Sequence, residues 1–504
     1  MSSSYGPQWQ SLLFSGRRKQ EHRTSQGEVS ATSDSSANDP VKNSELRTEI
    51  ERDHDRILFC TPVRRMADKT QVFPLDRNDS VRNRLTHSHE VSNLARSLGV
   101  TLVHNEKIAT GVADAMRNIP ALLAAVGLVH DLGNPPFGHQ GEKAIQSWFA
   151  DNVQNVACVA NDEENVNNSS FNRVLSDELY EDFLKFEGNA QTFRLVTRLQ
   201  LLNDNFGLDL TYATLAAMMK YPVGSCQVSL KNEVGKKKHG FFESERSIAE
   251  QVLAKVGLDV GLRHPLAYVM EACDDIAYVV LDIEDAVKKG LASFSDLVAY
   301  LQHHSESDPV VSRVVDLSIV KHTEYRNAEL SPAELNDVSM QRFRVYAIGE
   351  MVHATTTAFV EYQETFIAGN QTQGLLSLSA AAQLRKLLGS FAKTYAFQHR
   401  SVLEVELRGY NTIRGLMDIF WKAISATDPQ GGKKLPEHPY YRYVYTRISE
   451  NYRRVYSEPA QEVLRLPLRY RQCLLLTDMI SGMTDSYAVN LLGELNSLKP
   501  ANEL

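Results

Sequence analysis

From residue 47 onward, apolar residues recur three and four apart and rarely alternate, so the chain reads as a succession of amphipathic helices. The clearest covers residues 265–288. There Leu266, Val269, Met270, Cys273, Ile276, Ala277, Val280 and Ile283 keep the helical period, and Pro265 suits a first turn. Residues 121–129 are apolar around nearly the whole circumference, which predicts a helix inside the core with His130 and Asp131 at its C-terminal end. Asn134, Pro135 and Pro136 then stop it. Elsewhere the period fails. Residues 1–45 are rich in Ser, Asn, Asp and Thr, a composition that does not offset ordering entropy, and are expected to be flexible. Within them Trp9, Leu12, Leu13 and Phe14 form a short apolar cluster able to pack on the body or on a neighbouring subunit. The polar stretch 150–178 predicts an exposed insertion. Pro222, Gly224, Gly235 and Gly240 predict a loop or short hairpin over 221–245, and a further break falls near 428–439. No internal repeat is visible.

Composition changes this picture little. A chain of 504 residues with 43% hydrophobic content can bury a large core, and its formal charge of -8 argues against a surface that is one polyanion footprint. Cys60, Cys158, Cys226, Cys273 and Cys473 are odd in number, scattered and never spaced as CxxC, which fits a reducing compartment. The longest apolar stretch, residues 119–129, is too short to span a bilayer, and no basic region precedes an apolar leader. A cytoplasmic protein is expected.

Candidate chemistry gathers in an ordered set of residues. His87, the adjacent pair His130 and Asp131, and Asp274 offer two imidazoles and two carboxylates, a mixed N/O set for one divalent metal of the kind that supports hydrolysis. Consecutive residues leave a helix about 100° apart, close enough for His130 and Asp131 to reach one ion. A histidine beside an apolar run is commonly a satisfied core residue. What separates this set is its company, above all a carboxylate, Asp274, on a helix whose inward face is otherwise apolar. Further on, His139 and Glu142 stand three apart, so the carboxylate can hold the imidazole in one tautomer, or simply cap a helix over 140–150. Asp274, Tyr278 and Asp282 fall on one stripe at four-residue steps, which reads either as a solvated acidic face or as a sugar-binding line. Lys220, Tyr221, Lys238 and Asn189 are candidate phosphate contacts, although the run Lys236 to Lys238 is by default solvated. Late in the chain PYYRYVYTRISENYRRVY interleaves arginine and tyrosine, either a core face or a stacking surface for nucleotides and single strands.

With the contexts TQVFPLDRN, RLTHSHEV, HDLGNPPFGHQGE, FEGNAQ and EACDDIAYVVLDIEDAV, the ordered set resembles the HD-domain superfamily, and within it the bacterial deoxyguanosine triphosphate triphosphohydrolases. The resemblance is densest over residues 55–290 and recurs in ELRGYNTIRGL and DMISGMTDSYA. It implies a mostly α fold, with an HD-type helical catalytic core over 46–300 and a helical extension over 301–504 that completes the nucleotide pocket and oligomer contacts. It also implies hydrolysis of dGTP, with other dNTPs as further substrates, to deoxynucleoside and triphosphate. One divalent ion would serve, manganese or magnesium first, with cobalt, nickel, iron or zinc as alternatives. By the same resemblance His87, His130, Asp131 and Asp274 are the metal ligands and His139 and Glu142 the catalytic pair, His139 acting as proton donor or as nucleophile. Asn189, Lys220, Tyr221 and Lys238 would hold the triphosphate. Gln71 and Asp282 would read the 3′-hydroxyl, and Tyr278 would pack on the deoxyribose where a 2′-hydroxyl clashes. Glu406, in ELRGY, can accept from guanine N1–H and its exocyclic amine, neither of which adenine presents. A homohexamer with shared pockets is implied, and single-stranded DNA is a candidate partner. Two rivals stay open: another HD phosphohydrolase, such as a phosphodiesterase or a guanosine tetraphosphate hydrolase, and a nucleic-acid-binding regulator with little turnover.

Overall fold

The computed structural model describes residues 5–26, 46–160 and 171–500, apart from residues 74, 76, 77, 79, 201–203, 230–232, 370 and 428–434. Eleven helices position the site: α1 (Gly6–Leu12), α2 (Arg18–Ser25), α3 (Glu49–Leu58), α4 (Arg84–His104), α5 (Ala115–Val129), α6 (Gly138–Asp151), α7 (Pro265–Lys288), α8 (Pro332–Glu361), α9 (Arg400–Ser425), α10 (Leu468–Ser481) and α11 (Asp485–Ser497). Shorter helices and turns connect them. Side-chain caps fix where they begin. Thr48 and Glu51 exchange backbone hydrogen bonds at the head of α3, Asn83 and Thr86 do so at α4, and the His264 ring accepts from the Leu266 amide ahead of Pro265 at α7.

Helix α7 is buried along most of its length and packs against α4, α5 and α8. Leu266, Val269, Val280 and Ile283 are wholly enclosed, each such side chain contributing roughly 1.5–3 kcal/mol. Helices α4 and α5 cross closely because Gly127 lacks a side chain: a Cβ there would stand 2.7 Å from Ser92 Cα. The Ser92 hydroxyl donates to the Ala124 carbonyl (2.8 Å) across the same crossing. This approach sets the His87 and His130 ring centres 5.6 Å apart. Helix α6 lies on α9, which packs on α10 and α11, so the C-terminal third reaches back to the loop that follows His130.

Composition predicts a flexible segment over 1–45, and residues 5–26 depart from it. Trp9 is 1% exposed and Leu12 and Leu13 are buried, while the Leu12 carbonyl accepts from His264 Nε2 (3.1 Å). Arg17 pairs with the fully buried Asp53 (2.8 Å) and with Glu49 (2.6 Å), and the Tyr212 amide donates to the Gly16 carbonyl (3.0 Å). The apolar cluster at Trp9 packs on the body, as its residues allow, and Arg17 just beyond it meets a buried carboxylate that composition does not reveal. The remainder of that segment, 1–4 and 27–45, lies outside the described residues.

The expected insertion contains an antiparallel pair, β1 (Cys158–Ala160) with β2 (Phe171–Arg173), in register Val159 to Asn172; residues 161–170 of it lie outside the described residues. Over 221–245 the described residues form three single 3₁₀ turns and no hairpin. Most of the expected break near 428–439 likewise lies outside the described residues. The tyrosine-rich segment forms helices Pro439–Thr446 and Glu450–Ser457, with Tyr440, Tyr445, Tyr452 and Tyr456 buried, so those four rings serve the core. Among the described residues no helix is long and apolar enough to cross a membrane.

The docking of α1 carries a pH signature. Burial pushes the His264 imidazole down to about 4, opposed by its bond to the Leu12 carbonyl, so the native ring is neutral, with Nδ1 accepting and Nε2 donating. The unfolded chain takes up that proton near pH 6.5. Stability is therefore fully present above about pH 6.5 and is lost as pH falls toward about 4, at about 1.4 kcal/mol per pH unit in that window. Urea midpoints are expected to fall more steeply between pH 7 and pH 5 in the native sequence than in His264→Gln, which keeps a donor and an acceptor but does not titrate.

Candidate metal centre and nucleotide site

His87 sits one turn inside α4, because the Asn83–Thr86 cap starts the helix at Arg84. Its Nε2 is 3.2 Å from Asp274 Oδ1, and His130 Nε2 is 3.6 Å from the same oxygen. One ligand atom each from His87, His130 and Asp274 lie within 4.8 Å of one another. His130 Nδ1 donates to the Gly127 carbonyl (2.8 Å), which leaves Nε2 facing the carboxylates. That buried Nε2 has no hydrogen-bond partner among the described residues. An orphaned imidazole nitrogen aimed at a carboxylate fits a divalent ion. Asp131 stands at the edge of this group. Its Oδ2 is 3.6 Å from His130 Nε2 and ion-paired with Arg84, while Oδ1 accepts from Asn134 Nδ2 (2.7 Å).

Electrostatics agree with a cation site. Burial disfavours charge on all these groups, yet Asp131 and Asp274 raise the His130 imidazole to about 9. Against the same burial, Arg84 and His130 draw Asp131 down to about 2, and His130, His87 and Lys220 hold Asp274 well below the usual carboxylate range. The field that draws protons onto the imidazole also draws a dication.

Just beyond, Phe137 takes a left-handed backbone (φ 62°), which costs a residue with a Cβ on the order of 1–3 kcal/mol. Its amide donates to Asp485 Oδ1 (2.9 Å), and its ring lies so close over Gly409 that a Cβ there would meet Phe137 Cγ at 2.4 Å. This contact accounts for the glycine in ELRGY. Helix α6 then begins, and His139 Nδ1 lies 3.1 Å from Glu142 Oε2. The His139 side chain is 79% exposed while that of Glu142 is buried, with Oε1 accepting from the Gly188 amide (2.8 Å). The bond to Glu142 holds the His139 imidazole above its usual range. Burial pushes Glu142 up, and His139 and Lys238 outweigh it. With Nδ1 occupied, Nε2 is the open nitrogen.

Of the phosphate candidates, Lys238 and Asn189 lie beside this pair and Lys220 beside Asp274. Lys238 Nζ is 2.7 Å from Glu187 Oε2 and 4.0 Å from Glu142 Oε2, and Asn189 Nδ2 donates to Glu187 Oε1 (2.8 Å). In the same lysine run Lys236 pairs with Glu233 and Lys237 is exposed, so only Lys238 is drawn inward. Lys220 Nζ lies 3.5 Å from Glu271 Oε1 and 3.6 Å from Asp274 Oδ2, with Arg263 holding the other Glu271 oxygen (2.9 Å). Tyr221 is buried beside it.

The α7 stripe is no solvated face. Asp282 is 1% exposed, and neither carboxylate oxygen has a hydrogen-bond partner among the described residues; burial, with Asp285 nearby, pushes it well above the usual carboxylate range. Glu284 and Asp285 are buried as well and ion-paired with Arg82, and Glu284 also with Arg344. Gln71 Oε1 is another buried acceptor without a partner among the described residues. Tyr278, 37% exposed, packs on Phe397 with ring centres 5.6 Å apart. Glu406 Oε2 accepts from Gln140 Nε2 (3.1 Å), one residue past His139, and burial raises its carboxyl.

Sequence reasoning passed over the residues that hold these groups in place. Arg84 and Glu187 lie inside quoted motifs, and Glu271 three residues before Asp274, but charge alone does not mark a partner. Lys69 carries no local signal, and Asp485, although inside DMISGMTDSYA, is not marked there by its neighbours, since the side-chain partners of both are more than 60 residues away in the chain.

A helical core in which an adjacent His-Asp pair and ligands from two further helices face one cation site defines the HD-domain metallohydrolases, and the HD domain model matches residues 84–205. A deoxyguanosinetriphosphate triphosphohydrolase-like protein of Listeria innocua is 37% identical over 462 residues, covering 91% of this chain and 96% of that one. A probable deoxyguanosinetriphosphate triphosphohydrolase of Pseudomonas aeruginosa is 32% identical over 476 residues (89% and 93%). The deoxyguanosinetriphosphate triphosphohydrolase of Serratia proteamaculans is 32% identical over 475 residues (87% and 92%). The chain belongs to the deoxyguanosinetriphosphate triphosphohydrolase family.

Titration of metal-stripped protein with Mn²⁺ in a calorimeter tests the centre. His130→Ala and Asp274→Ala are each expected to weaken binding by more than about 100-fold; unchanged affinity in both would remove these residues from the metal shell.

Proposed function

We propose that the protein hydrolyses dGTP, with other dNTPs as further substrates, to the deoxynucleoside and intact triphosphate, with manganese or magnesium as the resident ion. The observation that carries this reading is the α7 line. Asp274 at the metal cluster, Tyr278, and the buried, unpartnered Asp282 span about 12 Å along one helix, the length scale of one nucleotide. A sugar hydroxyl is the neutral donor that Asp282 and Gln71 lack.

His87, His130, Asp131 and Asp274 would hold a divalent ion, which would supply charge stabilisation at the α-phosphate. Lys220 and Lys238, with Tyr221 and Asn189, bind the triphosphate and orient it, their acidic partners Glu271 and Glu187 keeping both ammonium groups in place beforehand. Water attacks the α-phosphorus, the bond to the 5′ oxygen breaks, and its electron pair leaves on that oxygen. His139 Nε2 gives the proton that completes the nucleoside hydroxyl, and Glu142 stabilises the imidazolium beforehand. Tyr278 packs on the deoxyribose and excludes a 2′-hydroxyl. Glu406 accepts from the guanine Watson–Crick edge, held by Gln140. Exposed Leu403 and Leu407 flank Glu406 on α9 and support a pocket completed by a second copy of the chain in a homohexamer.

Product analysis with each of the four dNTPs and GTP, in Mn²⁺ or Mg²⁺, is expected to show triphosphate and nucleoside from dGTP; release of phosphate or pyrophosphate instead would sink the proposal. His139→Ala is expected to lower kcat by about 10²–10⁴-fold while calorimetric metal affinity stays unchanged.

A further inference from the structure

We propose that Asp485 is a positioning residue that sets both halves of the reaction site at once, holding Asp131 through Thr70 and Arg84, and the His139 helix through Phe137. Asp485 is the first residue of α11 and is buried. Its Oδ1 accepts from the Phe137 amide (2.9 Å), and its Oδ2 accepts from the Thr70 amide (3.0 Å) and the Thr70 hydroxyl. The Thr70 carbonyl in turn accepts from Arg84 Nε (3.1 Å), and Arg84 is the ion-pair partner of Asp131. On the other branch Phe137 is the left-handed residue that launches α6, two positions before His139. Lys69 reinforces the same junction: its buried Nζ donates to the carbonyls of Asn134 (2.6 Å) and Ser481 (2.7 Å), tying the turn before Asp485 to the residue that hydrogen-bonds Asp131.

A carboxylate is required here. Both oxygens face N–H donors, so an amide at position 485 aims an NH₂ at one of them whichever way it is turned. Losing the Phe137 acceptor leaves an N–H unsatisfied at a residue already in a disfavoured conformation, and the relaxation that follows rotates His139 off Glu142. Misplacement by about 1 Å lowers turnover by about 10²-fold.

The proposal rests on the reading of His139 as the proton donor, so the test carries a readout that needs no turnover. His139 faces Glu142 on its own helix, Lys238 from the 221–245 loop and Arg84 from α4, and its exposed ring is open to diethyl pyrocarbonate. Modification of His139 is followed by mass spectrometry against pH in the full chain, beside steady-state kinetics with dGTP. Asp485→Asn is expected to lower kcat by about 10²-fold with KM within about threefold, and to move the His139 modification midpoint down toward the ordinary imidazole value near 6.5. Thr484→Ala, which removes only the cap of the Tyr487 amide on the same turn, is expected to lower Tm and leave both readouts at their native values. Thr70→Val, which removes one donor to Asp485, is expected to lower kcat by a smaller factor and decides the matter if Asp485→Asn does not fold. A native His139 midpoint in Asp485→Asn, or equal changes in Thr484→Ala, overturns the proposal. Absence of native turnover with an intact midpoint shift would count against the dGTP reading alone.

Discussion

The close crossing of α4 and α5 is the constraint on which the site depends. Where Gly127 meets Ser92 the helix backbones touch, and no side chain larger than hydrogen fits between them. That contact places His87 of one helix opposite His130 of the other, and α7, packed across both, brings Asp274 between the two rings. A methyl group at position 127 would part the helices and enlarge the cluster beyond the span a single ion bridges. The geometry of the His87, His130 and Asp274 cluster is thus a consequence of backbone packing before it is a matter of ligand chemistry.

Around that crossing, nearly every carboxylate is tied to a cation. Arg84 takes Asp131, Lys220 lies between Glu271 and Asp274, and Lys238 between Glu142 and Glu187. Such pairing keeps buried charges in place at modest net cost, whereas an unpaired one would neutralise or unfold its surroundings. Asp282 is the exception. Neither of its oxygens has a hydrogen-bonding partner among the described residues, whereas the equally buried Asp182 and Asp485 accept hydrogen bonds from neutral donors, which is why its environment supports a role toward such a donor.

Residues near both ends of the chain pack into the helices that carry the candidate site. Arg17 reaches Asp53 and the Leu12 carbonyl receives His264, so the N-terminal helices lock the head of α7. From the other end, Ser481 and Asp485, on either side of the turn between α10 and α11, are tied to the loop between His130 and His139, Ser481 through Lys69 and Asp485 directly. A helix bundle of this length needs such ties, because helix packing alone leaves connecting loops free to choose among conformations of similar energy.

By itself the sequence determined the helical class, the extent of α7 to the residue, and the residue types of the site, because period, proline placement and donor chemistry are local properties. His87, His130, Asp274, His139 and Glu142 were legible for that reason. The apolar cluster at Trp9 was legible as able to pack on the body, but its partners were not, since Arg17 gains meaning only opposite Asp53 and Leu12 only opposite His264. Nor was the place of Asp131, which shares its carboxylate with Arg84, or the choice of Lys238 over its two neighbours. Those outcomes depend on which side chains meet across tens to hundreds of residues of chain, and burial, not residue type, decides whether a charge there is solvated, paired or left open for a ligand.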